Sequence, residues 1–422
     1  MPADAPERCL SCHPPLHVGG KCGGRGVFMV LPLIMVPVAA LPECGWCTGG
    51  ACQPTCAVVK DHFNVSITAA TQRTMPYWRA PSAKPLGVAD PFVTTGVIIH
   101  HGSARNGDDY FCSMYNGLLK HFGSASIGTV LLVSPQIYEL SDGPSSAELY
   151  WDPRSGGTPD RNWAWGGNSS AALDASLASF SVLDEMLATM MDKALYPRLS
   201  RLLVAGHSAG GQIVQRYALA SALQPSVPLS YFPANPSSYT YVTSSRPALS
   251  SPWTCGGFCD NTTIKQRHWS FAPPSKAAAA ECPKFDAYGY GLGGGHLPPY
   301  LAARGVDAMR EAYGKRAVTY LSGESDVCDQ PFQSQANCTP GCDPYDGGLD
   351  TSCEAYLQGD CRMMRAHAFA QHVQAAYAHE PLFAHKLMSV PGVGHSGCAM
   401  FQADATLDAM FSRVSEVAPT PT

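Results

Sequence analysis

The sequence has few charged residues and no concentration of positive charge. Lys and Arg together number 28 and Asp and Glu 33 among 422 residues, which leaves a formal net charge of −5. The basic side chains are scattered, so no run of Lys and Arg could follow a phosphate backbone. We therefore expect no nucleic acid partner.

The sequence also lacks an apolar run long enough to cross a bilayer comfortably. Its most apolar stretch, Val27 to Pro42, is short and interrupted by prolines, and Lys21 and Arg25 precede it. The small residues at its end, up to Ala40, are of the kind that a signal peptidase accepts. We predict a signal peptide over 1–40, no stable membrane span in the mature chain, and a secreted or lumenal location. A buried core segment or a membrane anchor is the alternative.

Cysteine, in contrast, is abundant. Three of the 17 cysteines lie within 1–40, which leaves 14, an even number compatible with seven disulfides in an oxidising compartment. CGWC at 44–47 resembles a redox pair, but no βαβ pattern follows it, so structural disulfides are favoured. Four N-glycosylation sequons indicate the same compartment, at Asn64, Asn168, Asn261 and Asn337.

The order of apolar segments indicates the fold class. Residues 41–90 are rich in Cys and Pro, and we interpret them as a cysteine-rich lead-in that disulfides hold in place. After it, short β-branched or aliphatic runs alternate with longer amphipathic segments. Strands are predicted at 93–100, 129–135, 201–206, 229–233, 317–323 and 386–392, and helices at 109–122, about 171–194 and from Gly210. This alternation predicts an α/β fold with a mostly parallel sheet covered by helices on both faces.

Two long stretches interrupt this alternation. The first, about 234–300, is rich in Pro, Gly, Ser and aromatic residues, and the second, 328–361, carries five cysteines. We predict that both are insertions in one domain that runs from 91 to 422.

The motif GHSAG, residues 206–210, predicts a nucleophile. An apolar strand precedes it and a helical pattern follows, so the chain must reverse at Ser208 within a few residues. Glycines on either side leave room for the strand and helix to approach. Ser208 then lies at the amino end of a helix, where the Ala209 amide would serve as one donor to an oxyanion.

A serine nucleophile needs a base, and the base needs a carboxylate to orient it. His395 lies in the glycine-rich loop VPGVGHSG, after the last predicted strand. Glu324, Asp326 and Asp329 compete for the acid position in SGESDVCD, which follows another strand. We favour Asp326, with Asp329 second. A second oxyanion donor is predicted at the Ser103 amide, in the His-Gly loop after the first strong strand.

Several segments of the chain, including these motifs, resemble those of a known group of proteins. The segments HHGSARNGDDYF, AWGGNSS, VAGHSAGGQIVQRYA, NPSSYTY, YGYGLGGGHLPPYL and SGESDVCD resemble secreted or lumenal serine hydrolases of the α/β-hydrolase fold, over about residues 90–413. The resemblance implies that fold and the triad Ser208, Asp326 and His395. The order serine, acid, histidine along the chain is also that of α/β-hydrolases. The resemblance does not cover the cysteine-rich lead-in.

The substrate is less well indicated. Trp151, Trp163 and Trp165 lie in one loop after a sheet strand, where they would line an acyl or aryl pocket or bury the loop itself. Tyr239, in NPSSY, would orient a substrate or close a turn. We predict a hydrolase of small-molecule or polymeric carboxylic esters that needs no cofactor and no metal. A serine peptidase and a catalytically silent binding module are the alternatives.

Overall fold

An eight-stranded sheet forms the centre of the molecule. The computed structural model describes residues 56–66, 72–152, 159–170, 176–249, 259, 261–327 and 348–412. The strands of the sheet are β1 (Val59–Ser66), β2 (Gln72–Arg79), β3 (Thr95–His100), β4 (Val130–Pro135), β5 (Arg201–His207), β6 (Leu229–Ala234), β7 (Ala317–Gly323) and β8 (Lys386–Val390). Their spatial order is β1-β2-β4-β3-β5-β6-β7-β8. β2 runs antiparallel to both of its neighbours, and the strands from β4 to β8 pair in parallel.

Helices follow most of the strands. The described residues contain α1 (Gly107–Phe122), α2 (Ser179–Met191), α3 (Ala209–Ala220), α4 (Asn261–Gln266), α5 (Lys276–Glu281), α6 (Pro299–Arg304), α7 (Val306–Gly314), α8 (Cys353–Tyr356), α9 (Arg362–Ala376), α10 (Gly397–Gln402) and α11 (Asp404–Phe411). None of the helices in this part of the chain is long and apolar enough to cross a bilayer.

The sheet buries a core on each face. Side chains alternate along β5, so that Leu202 and Val204 pack into one cluster while Leu203 and Ala205 pack into the other. The first cluster takes in α2, α3 and α9, and the second takes in α1, α10 and α11. All six residues of β3 are buried, as expected for a central parallel strand covered on both sides.

This architecture is the α/β-hydrolase fold, and it confirms the predicted fold class. The six predicted strands are present as β3 to β8, with ends that differ from the predicted ones by a few residues at most. Parallel strands have their carboxyl ends at the same rim of the sheet. The loops after β3, β5, β6, β7 and β8 therefore meet at that rim.

The structure adds two strands that the sequence analysis did not predict. β1 and β2, within the segment interpreted as a lead-in, form an antiparallel hairpin that extends the central sheet through β4. β1 alternates between exposed and more buried residues instead of forming a continuous apolar run, because one side of this edge strand faces solvent. Residues 41–55, including the CGWC sequence, lie outside the described part of the chain.

Three disulfides are described, and each joins segments far apart in sequence. Cys56 is bonded to Cys112 on α1, Cys259 to Cys361, and Cys282 to Cys353. The first joins the entrance to β1 to a helix of the central domain. The other two tie the segment between β6 and β7 to the segment between β7 and β8. These are the two stretches that the sequence analysis predicted as insertions.

Candidate active site

Ser208 lies at the turn between β5 and α3, in a backbone conformation that residues with a Cβ rarely adopt. Its φ is 60° and its ψ is −121°. A Cβ at Gly206 would collide with the carbonyl oxygen of Gly210, and one at Gly210 would come within 2.5 Å of the His100 carbonyl oxygen. The two glycines thus allow the strand, the helix and the loop after β3 to approach closely, and the strain is held at the serine.

Ser208, His395 and Asp326 form one continuous line of hydrogen bonds. The Nε2 atom of His395 is 3.0 Å from the Ser208 hydroxyl oxygen, and its Nδ1 atom is 2.8 Å from Oδ2 of Asp326. A carboxylate only accepts hydrogen bonds, so Nδ1 carries the proton and Nε2 is free to accept the serine proton. The structure therefore brings together the three residues predicted as a triad. Glu324 instead pairs with Lys265 at 2.6 Å, and Asp329 lies outside the described residues.

Asp326 is completely buried, and each of its two carboxylate oxygens has a partner. Its second oxygen, Oδ1, is 3.5 Å from the guanidinium of Arg362, whose side chain is also completely buried. Burial by itself raises the pKa of Asp326, but the pairing with His395 and the positive charge of Arg362 outweigh it and hold that pKa below the usual value. The carboxylate is thus ionised at neutral pH. Arg362 is a residue that the sequence analysis did not single out.

His395 is held in its neutral form. Burial lowers the pKa of its imidazole below 6.5, and the positive charge of Arg362 lowers it further, against the opposing effect of Asp326. A neutral imidazole is the form that can accept a proton from serine.

The loop after β3 lies beside the serine. A Cβ at Gly102 would be 3.6 Å from the Ser208 Cβ. The Gly102 carbonyl accepts hydrogen bonds from the Arg105 amide and from Nδ1 of His101. Because a trans peptide directs its N–H opposite to its carbonyl, the Ser103 amide points away from His101. Neither this amide nor that of Ala209 donates to an acceptor within the described ranges.

A second histidine, His207, packs against His395 with ring centroids 4.5 Å apart. Its Nδ1 is 3.0 Å from the Tyr110 hydroxyl and its Nε2 is 3.4 Å from Nδ2 of Asn235. Burial lowers the pKa of His207 well below its usual value, so this ring is neutral as well. His207 was not among the predicted site residues, although its position next to the serine in GHSAG is visible in the sequence.

The residues predicted to contact substrate are mostly buried. Trp151 and Tyr239 are 0% exposed and Trp163 is 4% exposed, and all three belong to the main apolar cluster. They fill the core, so the structure does not support a direct substrate contact by any of them. Trp165 alone is partly exposed, with the Arg216 guanidinium 5.3 Å from its ring centre, and its predicted role remains a prediction.

Within the described part of the chain, no set of potential metal ligands lies near the triad. The group of potential ligands among the described residues is Cys282, Cys353 and Glu354, and its two sulfur atoms are joined as a disulfide.

Comparisons with known proteins give likenesses of fold. No protein-family model and no curated protein sequence matches the chain. A poly(3-hydroxybutyrate) depolymerase from Bordetella parapertussis is 21% identical with a TM-score of 0.48, over 83% of this chain and 89% of that chain. A poly(aspartic acid) hydrolase from Sphingomonas is 20% identical with a TM-score of 0.47, over 81% and 96%. An S-formylglutathione hydrolase from Agrobacterium tumefaciens is 12% identical with a TM-score of 0.39, over 84% and 94%.

Proposed function

We propose that this protein is a secreted serine hydrolase that cleaves carboxylic esters through an acyl-enzyme intermediate. The observation that carries the proposal is the line of hydrogen bonds from the Ser208 hydroxyl through His395 to Asp326, at 3.0 and 2.8 Å. It is supported by the strained turn at Ser208, which directs the hydroxyl to the rim of the sheet instead of into the core.

In the first half of the reaction, His395 removes the proton of Ser208 as the serine oxygen attacks the ester carbonyl. The amides of Ser103 and Ala209 donate hydrogen bonds to the oxyanion that forms. Asp326 stabilises the imidazolium. When the tetrahedral intermediate collapses, the bond to the alcohol breaks and His395 returns its proton to the leaving oxygen.

In the second half, water replaces the alcohol. His395 takes a proton from the water as its oxygen attacks the acyl carbon, and the same two amides hold the second oxyanion. Collapse then releases the carboxylic acid and returns the proton to Ser208. The alcohol oxygen of an ester is a better leaving group than the nitrogen of an amide, so esters make a smaller demand on these residues than peptides do.

The experiment is a panel of nitrophenyl esters of different acyl length, tested on the mature protein and on Ser208→Ala. We expect hydrolysis by the wild type and a fall of about 10⁴-fold or more in the variant. Equal rates for the two proteins would refute the proposal. Cleavage of peptides with no ester hydrolysis would indicate a peptidase, and inactivity toward both classes would indicate a binding module.

The secreted location has its own support and test. Three described disulfides are typical of proteins that mature in an oxidising compartment. We expect the protein recovered from the medium of secreting cells to begin near residue 41 when its amino terminus is sequenced. A protein that retains residues 1–40 and stays with the cells would contradict this.

A further inference from the structure

The segments that carry the triad meet at one residue that the proposed chemistry does not use. Asn235 directly follows β6, which lies between β5 and β7 in the sheet. β5 ends at the serine turn and β7 ends just before Asp326. The loop after β8, which carries His395, crosses the same rim. Asn235 thus occupies the middle of the region where the three segments converge.

The side chain of Asn235 bonds to all three segments. Its Oδ1 accepts a hydrogen bond from the Gly323 amide at 2.8 Å, at the end of β7. Its Nδ2 donates to the Gly394 carbonyl at 3.1 Å, one residue before His395. The same Nδ2 is 3.4 Å from Nε2 of His207, the residue before Ser208. Because Oδ1 accepts from an amide and Nδ2 faces a carbonyl, the orientation of the side-chain amide is defined.

The backbone around Asn235 adds two more links. The Asn235 amide donates to the Leu321 carbonyl at 3.0 Å, and the Ser208 amide donates to the Ala234 carbonyl at 2.9 Å. Asn235 has a φ of 43°, one of three positive values among the described non-glycine residues, and another of them is Ser208. Asparagine tolerates this region better than most residues do, and glycine tolerates it without strain.

We propose that Asn235 is a positioning residue that holds the His395 loop, the Asp326 turn and the serine turn in register. This inference rests on the proposed function, since it concerns the alignment of the same triad. The bond to Gly394 fixes the peptide next to His395, and the bond to Gly323 fixes the strand end three residues before Asp326. The contact with His207 holds the ring that packs on His395. Loss of the side chain lets the histidine shift relative to the serine hydroxyl.

The test compares Asn235→Gly with the wild type. Glycine keeps the backbone conformation and removes all three side-chain contacts. We expect kcat for a short nitrophenyl ester to fall about 10- to 100-fold, because a displacement of about 1 Å at a reacting group costs that much. KM is expected to change little, since Asn235 is only 1% exposed. The far-downfield proton resonance of the His395 Nδ1–H, bonded to Asp326, is expected to shift or broaden.

The matched control is Gln358→Ala. Gln358 is also buried and bridges the Tyr239 backbone with two bonds of 2.8 Å, and within the described residues it bonds to no member of the triad. We expect it to lower the melting temperature and leave kcat and the downfield resonance in place. A second variant, Asn235→Asp, keeps the bond to Gly323 and turns an oxygen toward the Gly394 carbonyl. Its kcat is expected to fall as much as that of the glycine variant. If the glycine variant does not fold, Asn235→Asp replaces it in the test.

The outcomes separate this inference from the function on which it rests. Wild-type kcat and an unchanged downfield resonance in folded Asn235→Gly, with Ser208→Ala inactive, would overturn the positioning role alone. Ester hydrolysis that persists in Ser208→Ala would refute the proposed function itself. An equal loss of kcat in Gln358→Ala would show that general destabilisation, not alignment, causes the effect, and would also overturn the proposal.

Discussion

Two histidines flank β8, one at each end of the strand, and they have contrasting surroundings. At the amino end, His385 has its Nε2 2.7 Å from the Tyr313 carbonyl oxygen and its Nδ1 2.7 Å from the Tyr320 hydroxyl. At the carboxyl end, His395 lies between Asp326 and Ser208. Both rings are partly buried and both have two hydrogen-bond partners, so neither burial nor the number of partners distinguishes them.

The difference lies in what the partners can do with a proton. The Tyr313 carbonyl requires the proton of His385 to be on Nε2, so Nδ1 accepts from Tyr320, which accepts in turn from the Tyr313 hydroxyl at 2.7 Å. Among the described residues no carboxylate bonds to this ring to stabilise a second proton, and burial lowers the pKa of His385 to about 4. His395, in contrast, bonds to the buried carboxylate of Asp326 on one side and to the hydroxyl of Ser208 on the other. The backbone of Ser208 is strained. One end of the strand is therefore arranged for stability and the other for proton transfer.

Alanine substitutions of the two histidines should have very different effects on catalysis and on stability. We expect His395→Ala to reduce kcat/KM for esters by about 10⁴-fold or more. His385→Ala is expected to keep kcat within about tenfold and to lower the free energy of unfolding by about 1–3 kcal/mol, because the Tyr320 hydroxyl and the Tyr313 carbonyl each lose a partner. Ester kinetics and denaturant unfolding measure the two effects. Loss of chemistry in the His385 variant alone would reverse the assignment.

Separate substitutions of the two candidate acids test which carboxylate orients His395. Asp326→Asn keeps the shape of the side chain but removes the charge behind His395 and the buried carboxylate that faces Arg362. We expect kcat to fall about 10⁴-fold and the protein to lose about 3–5 kcal/mol of stability. Asp329→Asn is expected to behave as the wild type in the same assays. The opposite ranking of the two variants would move the triad acid to Asp329.

Glycine substitutions test the packing at the carboxyl rim. Gly210→Ala places a Cβ 2.5 Å from the His100 carbonyl oxygen and 2.6 Å from that of His101. We expect a loss of about 1–3 kcal/mol in the free energy of unfolding and a reduced kcat, since the serine turn and the loop after β3 must separate. Gly128→Ala, where a Cβ would meet nothing within 4 Å, is the control and should change neither quantity. Equal effects of the two substitutions would show that close approach is unimportant.

The smallest expected effect is a shift in pH dependence. Burial and Arg362 lower the pKa of His395, so the acid limb of kcat/KM is expected to have its midpoint below 6.5. Activity falls as pH drops through that pKa, because the protonated ring cannot accept the serine proton. Arg362→Gln removes one of the two causes, so its acid limb should move to higher pH. An unchanged limb, or one displaced to lower pH, would contradict the electrostatic account.

Much of the site could be predicted from the sequence because its parts are local. GHSAG specifies a strand, a sharp turn and a helix within a few residues, and the loops with Asp326 and His395 each follow an apolar strand. In parallel sheets the strand ends share one rim, so the three loops were expected to meet there. The acid remained ambiguous, since Glu324, Asp326 and Asp329 all lie within six residues.

What could not be predicted depends on contacts between distant segments. β1 has no continuous apolar run, and the role of Asn235 becomes visible only when Gly323 and Gly394 are seen beside it. A tryptophan such as Trp151 has the same sequence pattern whether it lines a pocket or fills the core. The counter-ion Arg362 lies on α9, 36 residues from Asp326, and no motif links the two.

Mapping a covalent adduct shows whether the Ser208 oxygen is the nucleophile that His395 activates. The mature protein is treated with a fluorophosphonate, and its peptides are analysed by mass spectrometry. We expect one adduct, on Ser208, in the wild type and a greatly slowed reaction in His395→Ala. An adduct on another residue, or active enzyme that remains unlabelled, would contradict the account.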